Sequence, residues 1–314
     1  MTDGGATVAV TGGAGFIGAN LCRHLLATEG IGRVVALDDL STGQESNLAG
    51  LDVELVSGSI LDDADLDKAF GGASSVVHLA ARPSVPRSIQ DPVASHEVNA
   101  TGTVRVLEAL RRHDIGHVVV ASSSSVYGAN PALPKQEDLV AAPLSPYAAS
   151  KLAAESYALA WSHVWEIDAL AFRFFNVYGP LQAAGHAYAA VVPTFVDAAL
   201  AGRPLPVHGD GRQTRDFTYV DSVCAVLCAA VVGRVGHPTP VNLAFGGRAS
   251  LLEVIALLEE ILGHPLERDH SNPRPGDVRD SQADQTLLRA LFPHLEPVEL
   301  AEGLRRTVAW ARTP

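Results

Sequence analysis

Thr11-Gly12-Gly13-Ala14-Gly15-Phe16-Ile17-Gly18 decides the fold, because this stretch joins an apolar run to a helix-length segment. The preceding run, Thr7–Val10, is typical of a buried strand, and Phe16–Ala27 has the periodicity of an amphipathic helix. Glycines between a strand and a helix allow a tight turn and let the backbone approach a pyrophosphate, which the helix N-terminus attracts. The stretch therefore predicts a dinucleotide site that includes Gly12, Gly15, Phe16, Ile17 and Gly18.

Strand and helix patterns alternate from residue 7 to about residue 175. Further β-branched runs predict strands at Val34–Leu37, Val53–Ser57, Ser75–Leu79, His117–Ser122 and Ala169–Phe174. The intervening segments predict helices at Ala64–Phe70, Val93–Arg112 and Ala148–Trp165. Such alternation indicates an α/β fold, a doubly wound parallel sheet of the Rossmann type with helices on both faces. We expect this domain to span residues 1–175.

The pattern is less regular after residue 175. Gly202–Asp216 is rich in Gly and Pro and predicts a turn or a short hairpin, and His270–Asp280 predicts a loop. Leu251–Leu262 predicts an amphipathic helix with Ser250 as its N-cap. We expect a smaller, irregular C-terminal α/β lobe over 176–314, a segment near 216–245 that returns to the first domain, and a cleft between the two.

Composition narrows the classes of function. The chain has 314 residues, 47% of them hydrophobic, and a net charge of −12, which argues against a nucleic-acid partner. No apolar run reaches the roughly 18–20 residues of a membrane helix, and no signal-peptide pattern is present, so we expect a cytoplasmic protein. Cys224 and Cys228 are spaced like a metal pair, but without further ligands these two and Cys22 favour core packing and no metal site.

Asp38 lies at the end of the second predicted strand, twenty positions after Gly18. A carboxylate there can accept hydrogen bonds from both hydroxyls of an adenosine ribose, and it would repel a 2′-phosphate. The sequence therefore predicts NAD rather than NADP as the cofactor.

Tyr147-Ala148-Ala149-Ser150-Lys151 places a phenol and an ammonium group on one face of a helix. A free tyrosine, with a pKa of about 10, is a poor base at neutral pH. A nearby lysine favours the phenolate, so the pair is suited to removing a proton from a hydroxyl group. Tyr147 and Lys151 are therefore candidate catalytic residues that also contact the cofactor.

The ordered motifs resemble the extended short-chain dehydrogenases of the NAD-dependent epimerase/dehydratase family, which includes UDP-hexose 4-epimerases. The resemblance runs nearly end to end, through Thr11–Gly18, Asp38–Gly43, His78–Ala81, Asn99, Ser122–Gly128, Tyr147–Lys151, Arg173–Pro180, Gly209–Asp221 and Arg274–Asp277. It implies further cofactor contacts from Asp39, Ser41, Thr42, Gly43, Ser59, Ile60, Leu79, Ala80, Ala81, Asn99 and Ser122. It implies substrate contacts from Ser84, Val85, Arg87, Ser123, Ser124, Ser125, Tyr147, Asn176, Val192, Arg215, Arg274, Asp277 and Ser281.

The resemblance also assigns roles. Ser123 matches the hydroxyl that bridges the catalytic tyrosine and the sugar O4, and Asn176 matches a phosphate-binding residue. Arg215 and Arg274 match arginines that clamp a diphosphate, a task suited to the guanidinium group, and Asp277 would hold the nucleoside ribose. One departure is Ser59, where the family usually has an acidic residue that holds the adenine.

The shared first step implied by the family is loss of the O4 proton to Tyr147 with hydride transfer from C4 to NAD⁺. An epimerase then returns hydride to the other face of the 4-keto sugar, whereas a dehydratase eliminates water. The Asp-Glu pair of the familiar 4,6-dehydratases is replaced by Ser124 and Ser125, which lack the pKa for acid–base work, so epimerisation is favoured. A dehydratase that uses other groups, acting across C5 and C6 or C4 and C6, stays the alternative, and a non-catalytic NAD-binding regulator is a third hypothesis.

Two features favour a UDP-N-acetylhexosamine substrate over UDP-glucose or UDP-glucuronate. The Arg82–Ser88 segment resembles the Ser-Val-Pro-Arg-Ser stretch of epimerases that accept such sugars. Ser281 stands where a bulky tyrosine can narrow the sugar pocket, and a small residue leaves room for a 2-acetamido group. The family commonly forms dimers through a four-helix bundle, which predicts a homodimer through Val93–Arg112 and Ala148–Trp165.

Overall fold

A computed structural model describes residues 5–184, 189–272 and 279–313. The strands are β1 (Ala6–Thr11), β2 (Ile31–Asp38), β3 (Glu54–Ser57), β4 (Ser75–His78), β5 (His117–Ser123), β6 (Asp168–Phe174), β7 (Asn176–Tyr178), β8 (Leu205–His208), β9 (Thr214–Arg215), β10 (Phe217–Tyr219), β11 (Val241–Leu243), β12 (Ala249–Ser250) and β13 (Arg268–Ser271). The helices are α1 (Phe16–Leu26), α2 (Asp63–Phe70), α3 (Val85–Gln90), α4 (Pro92–His96), α5 (Gly102–Arg112), α6 (Pro146–Trp165), α7 (Val191–Leu200), α8 (Val220–Val232), α9 (Leu251–Leu262), α10 (Thr286–Leu291) and α11 (Leu300–Ala311).

The centre of the molecule is a seven-stranded sheet in the order β11-β6-β5-β4-β1-β2-β3, and every pairing in it is parallel. Its first six strands along the chain lie where the sequence predicts them, and the doubly wound Rossmann arrangement is confirmed. The seventh strand, β11, comes from the segment that follows α8, so the chain returns to the sheet after leaving it. Because all strands are parallel, their carboxyl ends lie at one edge, where such sheets bind ligands.

Each face of the sheet is covered by its own apolar layer. On one face, Leu21 of α1 and Leu227 of α8 are fully buried in the larger core. On the other, Phe70 of α2 and Leu107 of α5 are fully buried in a second core that also includes Ala158 of α6. Burying each such large side chain stabilises the fold by roughly 1.5–3 kcal/mol, so the helices are fixed to the sheet that carries the candidate site.

Three pairs of short strands build the rest of the molecule: β10 with β7, β12 with β9, and β13 with β8. The hairpin predicted for Gly202–Asp216 is therefore wrong, because β8 and β9 lie in that stretch but pair with distant strands. The loop predicted from His270 onward is wrong at its start, where His270 and Ser271 pair with β8. The prediction for Leu251–Leu262 is confirmed, since Ser250 and Glu253 form a reciprocal capping box at the start of α9.

The predicted helix Val93–Arg112 is interrupted. It consists of α4, a π-helical turn over Glu97–Thr101 and α5. The turn carries Asn99, which is 1% exposed. Its side chain exchanges hydrogen bonds with the backbone of Arg82 and donates to Ser150 Oγ at 3.0 Å. π turns of this kind often occur beside functional sites, and this one fixes the segment that leads to α3.

Within the described ranges, no helix is long and apolar enough to cross a membrane. Cys22, Cys224 and Cys228 are all buried and free of disulfides. Burial raises the pKa of the Cys22 thiol to about 12 and that of Cys228 to about 11, so both are protonated at neutral pH. All three thiols pack in the larger core between α1 and α8.

Candidate active site

A cavity of about 730 Å³ lies at the carboxyl edge of the sheet. It begins at the glycine turn after β1 and ends beside Tyr147 on α6. Of the predicted site residues, the structure places around it Gly12, Gly15, Phe16, Ile17, Gly18, Asp38, Asp39, Ser41, Thr42, Ser59, Ile60, Leu79, Ala80, Ala81, Arg87, Ser122, Ser123, Tyr147 and Lys151. Sequence motifs that are more than a hundred residues apart along the chain therefore line one elongated cavity.

The glycine turn leaves no room for larger residues. Gly12 has φ +71°, and a Cβ there would lie 2.8 Å from the backbone nitrogen of Ala80. A Cβ on Gly18 would lie 2.0 Å from the carbonyl oxygen of Gly12, so helix and turn pack backbone to backbone. At the N-cap, Gly15, no side chain hydrogen-bonds the amides of α1. These amides face the cavity as donors, which is the arrangement that binds a pyrophosphate.

Asp38 fixes the opposite side of the turn. It ends β2, is 7% exposed, and accepts hydrogen bonds at 2.9 Å from the amides of Ala14 and Leu40. Gly43 packs against its carboxylate, since a Cβ at Gly43 would lie 2.8 Å from Oδ1. Phosphate-binding amides and a ribose-binding carboxylate on neighbouring strands fit the two ends of an adenosine diphosphate, so the residues present fit NAD.

The segment between these groups and the catalytic pair is held by His78 at the end of β4. Its Nδ1 lies 2.7 Å from Thr11 Oγ1 and its Nε2 lies 3.0 Å from Thr103 Oγ1. Burial lowers the pKa of His78 to about 3, so the ring is neutral and serves as a hydrogen-bonding bridge. Thr11 Oγ1 also accepts from the amide of Ala80 at 3.2 Å, which sets the cavity wall.

The catalytic pair is positioned by the start of α6. Ser145 caps the helix, its Oγ accepting from the amide of Ala148 at 3.1 Å, and Pro146 occupies the first turn. This places Tyr147 in the first turn facing the cavity and Lys151 one turn later. The Lys151 Nζ donates to the carbonyl oxygen of Ala121 in β5 at 2.7 Å, which ties the helix to the sheet.

Burial governs the charges at this end of the cavity. It lowers the pKa of Lys151 to about 8 and raises the pKa of Tyr147. A hydrogen bond with Ser123, at the end of β5, acts against the rise and favours the phenolate. The ammonium group of Lys151 is engaged by the backbone of β5.

A second buried pair supports the same helix from behind. Glu155, one turn after Lys151, accepts from Ser122 Oγ at 2.7 Å and pairs with Arg173 of β6 at 2.7 Å. The Glu155 and Arg173 residues are only 3% and 4% exposed. Sequence reasoning gave neither residue a role, because Glu155 belongs to no motif and Arg173, the first residue of the Arg173–Pro180 motif, does not itself line the cavity. Their signal is the four-residue spacing after Lys151, which puts Glu155 on the face of α6 that meets the sheet.

The other predicted residues do not line this cavity. Gly43, Asn99 and Val192 are buried outside its lining, Ser84 caps α3, and Val85, Ser124 and Ser125 are not among the lining residues. Arg274 and Asp277 fall outside the described residues. Conversely, sequence reasoning did not predict cavity contacts from Leu37, Gly58, Leu61, Arg82, Pro83, Gln90, Val98, Ala121, Phe174, Phe175, Val177 and Gln182.

Three predicted substrate residues gather next to the cavity, around β7 and β9. Asn176 hydrogen-bonds through its backbone and side-chain amides to the carbonyl oxygen of Asp216, both at 3.2 Å. The Ser281 amide donates to the carbonyl oxygen of Thr214 at 3.1 Å. Arg215 donates to the carbonyl oxygens of Thr214 and Arg279 at 2.9 Å. The structure thus brings Asn176, Arg215 and Ser281 onto one connected surface.

Ser59, the departure from the family pattern, lies in a local hydrogen-bonded turn. Its Oγ accepts from the amide of Leu61 at 3.1 Å, and its own amide donates to Asp65 Oδ2 at 2.8 Å. Asp65 packs over Gly58, where a Cβ would lie 2.4 Å from the carboxylate. The carboxylate nearest this turn therefore belongs to α2, while Gly58, Ser59 and Ile60 line the cavity.

Comparisons with known proteins agree with this site. The model of the NAD-dependent epimerase/dehydratase family matches residues 8–244. A UDP-glucose 4-epimerase of Mycolicibacterium smegmatis is 41% identical, over 96% of this chain and 97% of its own length. The UDP-N-acetylglucosamine 4-epimerase of Methanobrevibacter ruminantium, solved with UDP-N-acetylmuramic acid, is 33% identical with a TM-score of 0.90, covering 98% of both chains.

A third similar protein performs a different reaction. It is an NAD-dependent NDP-hexosamine 5,6-dehydratase involved in tunicamycin biosynthesis, 32% identical with a TM-score of 0.88 and 98% coverage of both chains. Two of these relatives are thus named as 4-epimerases and one as a dehydratase. The chain belongs to the NAD-dependent epimerase/dehydratase family and is an NAD-dependent enzyme that acts on nucleotide sugars.

Proposed function

We propose that the protein is a UDP-N-acetylhexosamine 4-epimerase. The observation that supports this proposal is where carboxylate and hydroxyl side chains lie along the cavity. Among the described lining residues, the carboxylates are Asp38 and Asp39, which lie at the adenosine end, whereas hydroxyl groups surround Tyr147. Epimerisation through a 4-keto sugar needs one proton acceptor that later returns the proton. Elimination of water needs an additional acid and base, and this end of the described cavity offers no carboxylate for that work.

The residues fit the proton transfer at the sugar O4. Tyr147 accepts the proton of the 4-hydroxyl group and returns it when the ketone is reduced. Ser123 stabilises the phenolate, and the ammonium group of Lys151 orients the cofactor ribose while keeping positive charge near the phenol. Bound NAD supplies the hydride acceptor and donor for C4. The ring turns over between the two transfers, so the hydride returns to the other face of the ketone.

Two arguments support the preference for an N-acetylhexosamine: the room beside Ser281 and the similarity to a relative that is named for such a substrate. Ser281 is small and lies beside Arg215, which leaves room for a 2-acetamido group if the sugar extends toward it. The relative from Methanobrevibacter ruminantium is named as a UDP-N-acetylglucosamine 4-epimerase. Asn176 and Arg215 on the adjoining surface supply amide and guanidinium donors suited to the diphosphate of a UDP-sugar.

A dehydratase is the second candidate, because a 5,6-dehydratase acting on an NDP-hexosamine matches the chain over 98% of its length. The same Tyr147 chemistry would give the 4-keto sugar, whose acidified C5–H could then be lost with the C6 hydroxyl group. The acid and base would have to come from groups other than Ser124 and Ser125.

Proton NMR in D₂O separates these functions. UDP-GlcNAc, UDP-glucose and UDP-glucuronate would be offered separately to the NAD-loaded enzyme. The proposal predicts fastest conversion of UDP-GlcNAc to its C4 epimer without deuterium at C5. Vinylic or methyl signals would show a dehydratase, and preferred turnover of UDP-glucose or UDP-glucuronate would refute the N-acetyl preference.

We further propose that two copies associate through α4 and α6. Apolar side chains are exposed on this side, with Val93 66%, Val164 60%, and Tyr157 and Trp165 each 42% exposed. The ring of Trp161 lies between those of Tyr157 and Trp165, edge-to-face with the first at 5.9 Å and tilted by 42° to the second at 4.7 Å. An aromatic ladder flanked by exposed apolar residues is typical of a protein contact surface, and a symmetric dimer would cover the same patch on both copies.

Light scattering coupled to gel filtration tests the dimer. Val93→Glu should shift the protein to the monomer mass, because the charge would be buried at the interface. Val140→Glu is the matched control, since Val140 is 79% exposed and lies in the loop before α6, outside both helices. A wild-type monomer, or a Val93→Glu dimer as tight as the wild type, would contradict the proposal.

A further inference from the structure

Gln182 lies in the turn that follows β7, and it lines the cavity. Its Nε2 donates to the carbonyl oxygen of Val177 at 3.1 Å. Because a carbonyl oxygen only accepts, this bond fixes the nitrogen of the side-chain amide toward β7 and directs Oε1 the other way. Oε1 is buried and has no hydrogen-bond partner among the described residues. A buried acceptor without a donor costs free energy, which a donor group on a ligand would offset.

The turn that carries Gln182 is held in an uncommon backbone conformation. Leu181 has φ +69°, in the left-handed region that residues with a Cβ rarely adopt. The preceding carbonyl oxygen, of Pro180, accepts from Asn20 Nδ2 at 3.0 Å, and Asn20 lies on α1 with an exposed fraction of 2%. A buried contact with α1 thus stabilises a strained turn beside the cavity, and such strain is often found where a protein holds a ligand.

The chemistry of the lining around Gln182 limits the group that it can bind. Among the described lining residues that follow Lys151 in the chain, the others are Phe174, Phe175 and Val177, so Gln182 has the one polar side chain. Its Oε1 is an acceptor and therefore selects an N–H or O–H group rather than the oxygen of a phosphate. An apolar wall with a single acceptor is suited to a flat ring that carries one donor.

The position of the turn indicates which ring this is. Asn20 ties the turn to α1, whose first amides face the cavity where a pyrophosphate binds. The strand that leads toward the turn, β6, pairs with β5, whose last residue Ser123 lines the cavity together with Tyr147. A dinucleotide with its pyrophosphate at α1 and its reacting ring at Tyr147 therefore passes the turn. The carboxamide group is the hydrogen-bond donor of a nicotinamide ring.

We propose that Gln182 accepts a hydrogen bond from the carboxamide group of NAD and so orients the nicotinamide ring in the cavity. Gln182 would thereby reduce the number of ring orientations from which hydride transfer with the sugar is unproductive. The proposal requires NAD as the cofactor, for which the family is named, and it applies to an epimerase and to a dehydratase alike.

Competition between NAD and 3-acetylpyridine adenine dinucleotide tests the proposal without any sugar, because the analogue has a methyl group in place of the amide NH₂. The protein would be incubated with an equal excess of both nucleotides and freed of unbound nucleotide, and the bound nucleotides would be quantified by chromatography. The wild type should retain NAD over the analogue by about tenfold. Gln182→Leu and the unbranched Gln182→Met should bring this ratio close to one.

Gln182→Glu separates the acceptor from the tether. A protonated carboxyl group can donate to Val177 and keep its other oxygen as an acceptor, so this variant should preserve the preference for NAD. Gln213→Leu is the matched control, because it removes an Nε2 hydrogen bond to the carbonyl oxygen of His208, and Gln213 is not among the lining residues. It should retain the wild-type ratio.

ADP-ribose, which lacks the nicotinamide ring, distinguishes loss of the carboxamide contact from a general loosening of the site. In Gln182→Leu, NAD should lose about tenfold in competition with ADP-ribose, whereas the acetyl analogue should lose nothing. Equal retention of NAD and the analogue by the wild type would overturn the proposal, and so would a wild-type ratio in both Gln182→Leu and Gln182→Met. A higher KM for the nucleotide sugar in Gln182→Leu with an unchanged nucleotide ratio would also overturn it, because Oε1 would then contact the substrate.

Discussion

The two ends of the site are built differently. At the cofactor end, Gly12 directly follows β1, Gly18 lies in the first turn of α1 and Asp38 ends β2, and each is fixed by backbone contacts that admit no larger or displaced group. At the sugar end, Asn176 and Arg215 lie on three- and two-residue strands, and each donates hydrogen bonds to backbone carbonyl oxygens of neighbouring segments. The rigid end suits the cofactor for which the family is named, and the end built from short strands suits nucleotide sugars and reactions that differ among the relatives.

The largest expected effect lies where the two ends meet. Tyr147→Phe removes the proton acceptor but keeps the ring, so turnover should fall about 10³-fold while NAD stays bound. The measurement is kcat together with the amount of NAD that copurifies. Turnover close to wild type would assign the proton transfer to another group, and loss of NAD would show that the phenol holds the cofactor rather than the sugar proton.

The helix that carries Tyr147 and Lys151 should be sensitive to the buried ion pair behind it. Glu155→Gln leaves Arg173 buried without a counter-charge and should lower the free energy of unfolding by about 3 kcal/mol. Glu54→Gln is the control, because Glu54 pairs with Arg33 at 46% and 43% side-chain exposure and should contribute less than about 1 kcal/mol. Denaturant titration of both variants measures the loss in the free energy of unfolding. Equal losses would show that the pair behind α6 stabilises the protein no more than a surface pair.

At the sugar end, the carboxyl group of Asp216 is buried at an expense in free energy. Its Oδ2 accepts from the amide of Ala283 at 3.1 Å, while Oδ1 is buried with no hydrogen-bond partner among the described residues. Burial raises the pKa of Asp216 to about 7 from an ordinary value of 3.8, so the folded state holds a proton that the unfolded chain releases. The contribution of Asp216 to the free energy of unfolding should therefore be fully present below about pH 4 and be lost as the pH rises toward 7.

Asp216→Asn keeps the shape and removes the titration. It should flatten the pH dependence of Tm between pH 4 and 7 and stabilise the protein by about 2 kcal/mol at pH 8. Thermal unfolding across this range is the measurement. A wild-type slope in the variant would assign the pH dependence to another group.

The smallest expected effect concerns substrate affinity. Arg215→Ala should raise KM for the nucleotide sugar about tenfold, with kcat nearly unchanged, because one charge-assisted contact to the diphosphate is lost. Arg203→Ala is the control, since Arg203 forms an exposed pair with Asp197 and lies outside the proposed sugar surface. A fall in kcat without a change in KM would instead place Arg215 in the chemical step.

The difference between the cofactor end and the sugar end also explains which features could be predicted from the sequence. Gly12–Gly18, Asp38 and the Tyr147–Lys151 pair act through local geometry, since a strand end or one helical turn fixes each of them, and their occurrence together in one chain was informative. The pairing of β8 with β13 joins segments about sixty residues apart, and no local pattern in Gly202–Asp216 encodes it. The partnership of Glu155 with Arg173 likewise depends on which strand lies under α6, and the contact between Ser123 and Ser125 depends on the backbone of a single turn.

Isotopic labelling at C4 follows the hydrogen that is transferred. UDP-GlcNAc carrying deuterium at C4 would be incubated with the NAD-loaded enzyme in ordinary water, and the products would be followed by NMR. Epimerisation through a 4-keto sugar predicts UDP-GalNAc that retains the label at C4, because the hydrogen removed from C4 is returned to the same carbon. Loss of the label from C4 or an unsaturated product would contradict the proposed 4-epimerase.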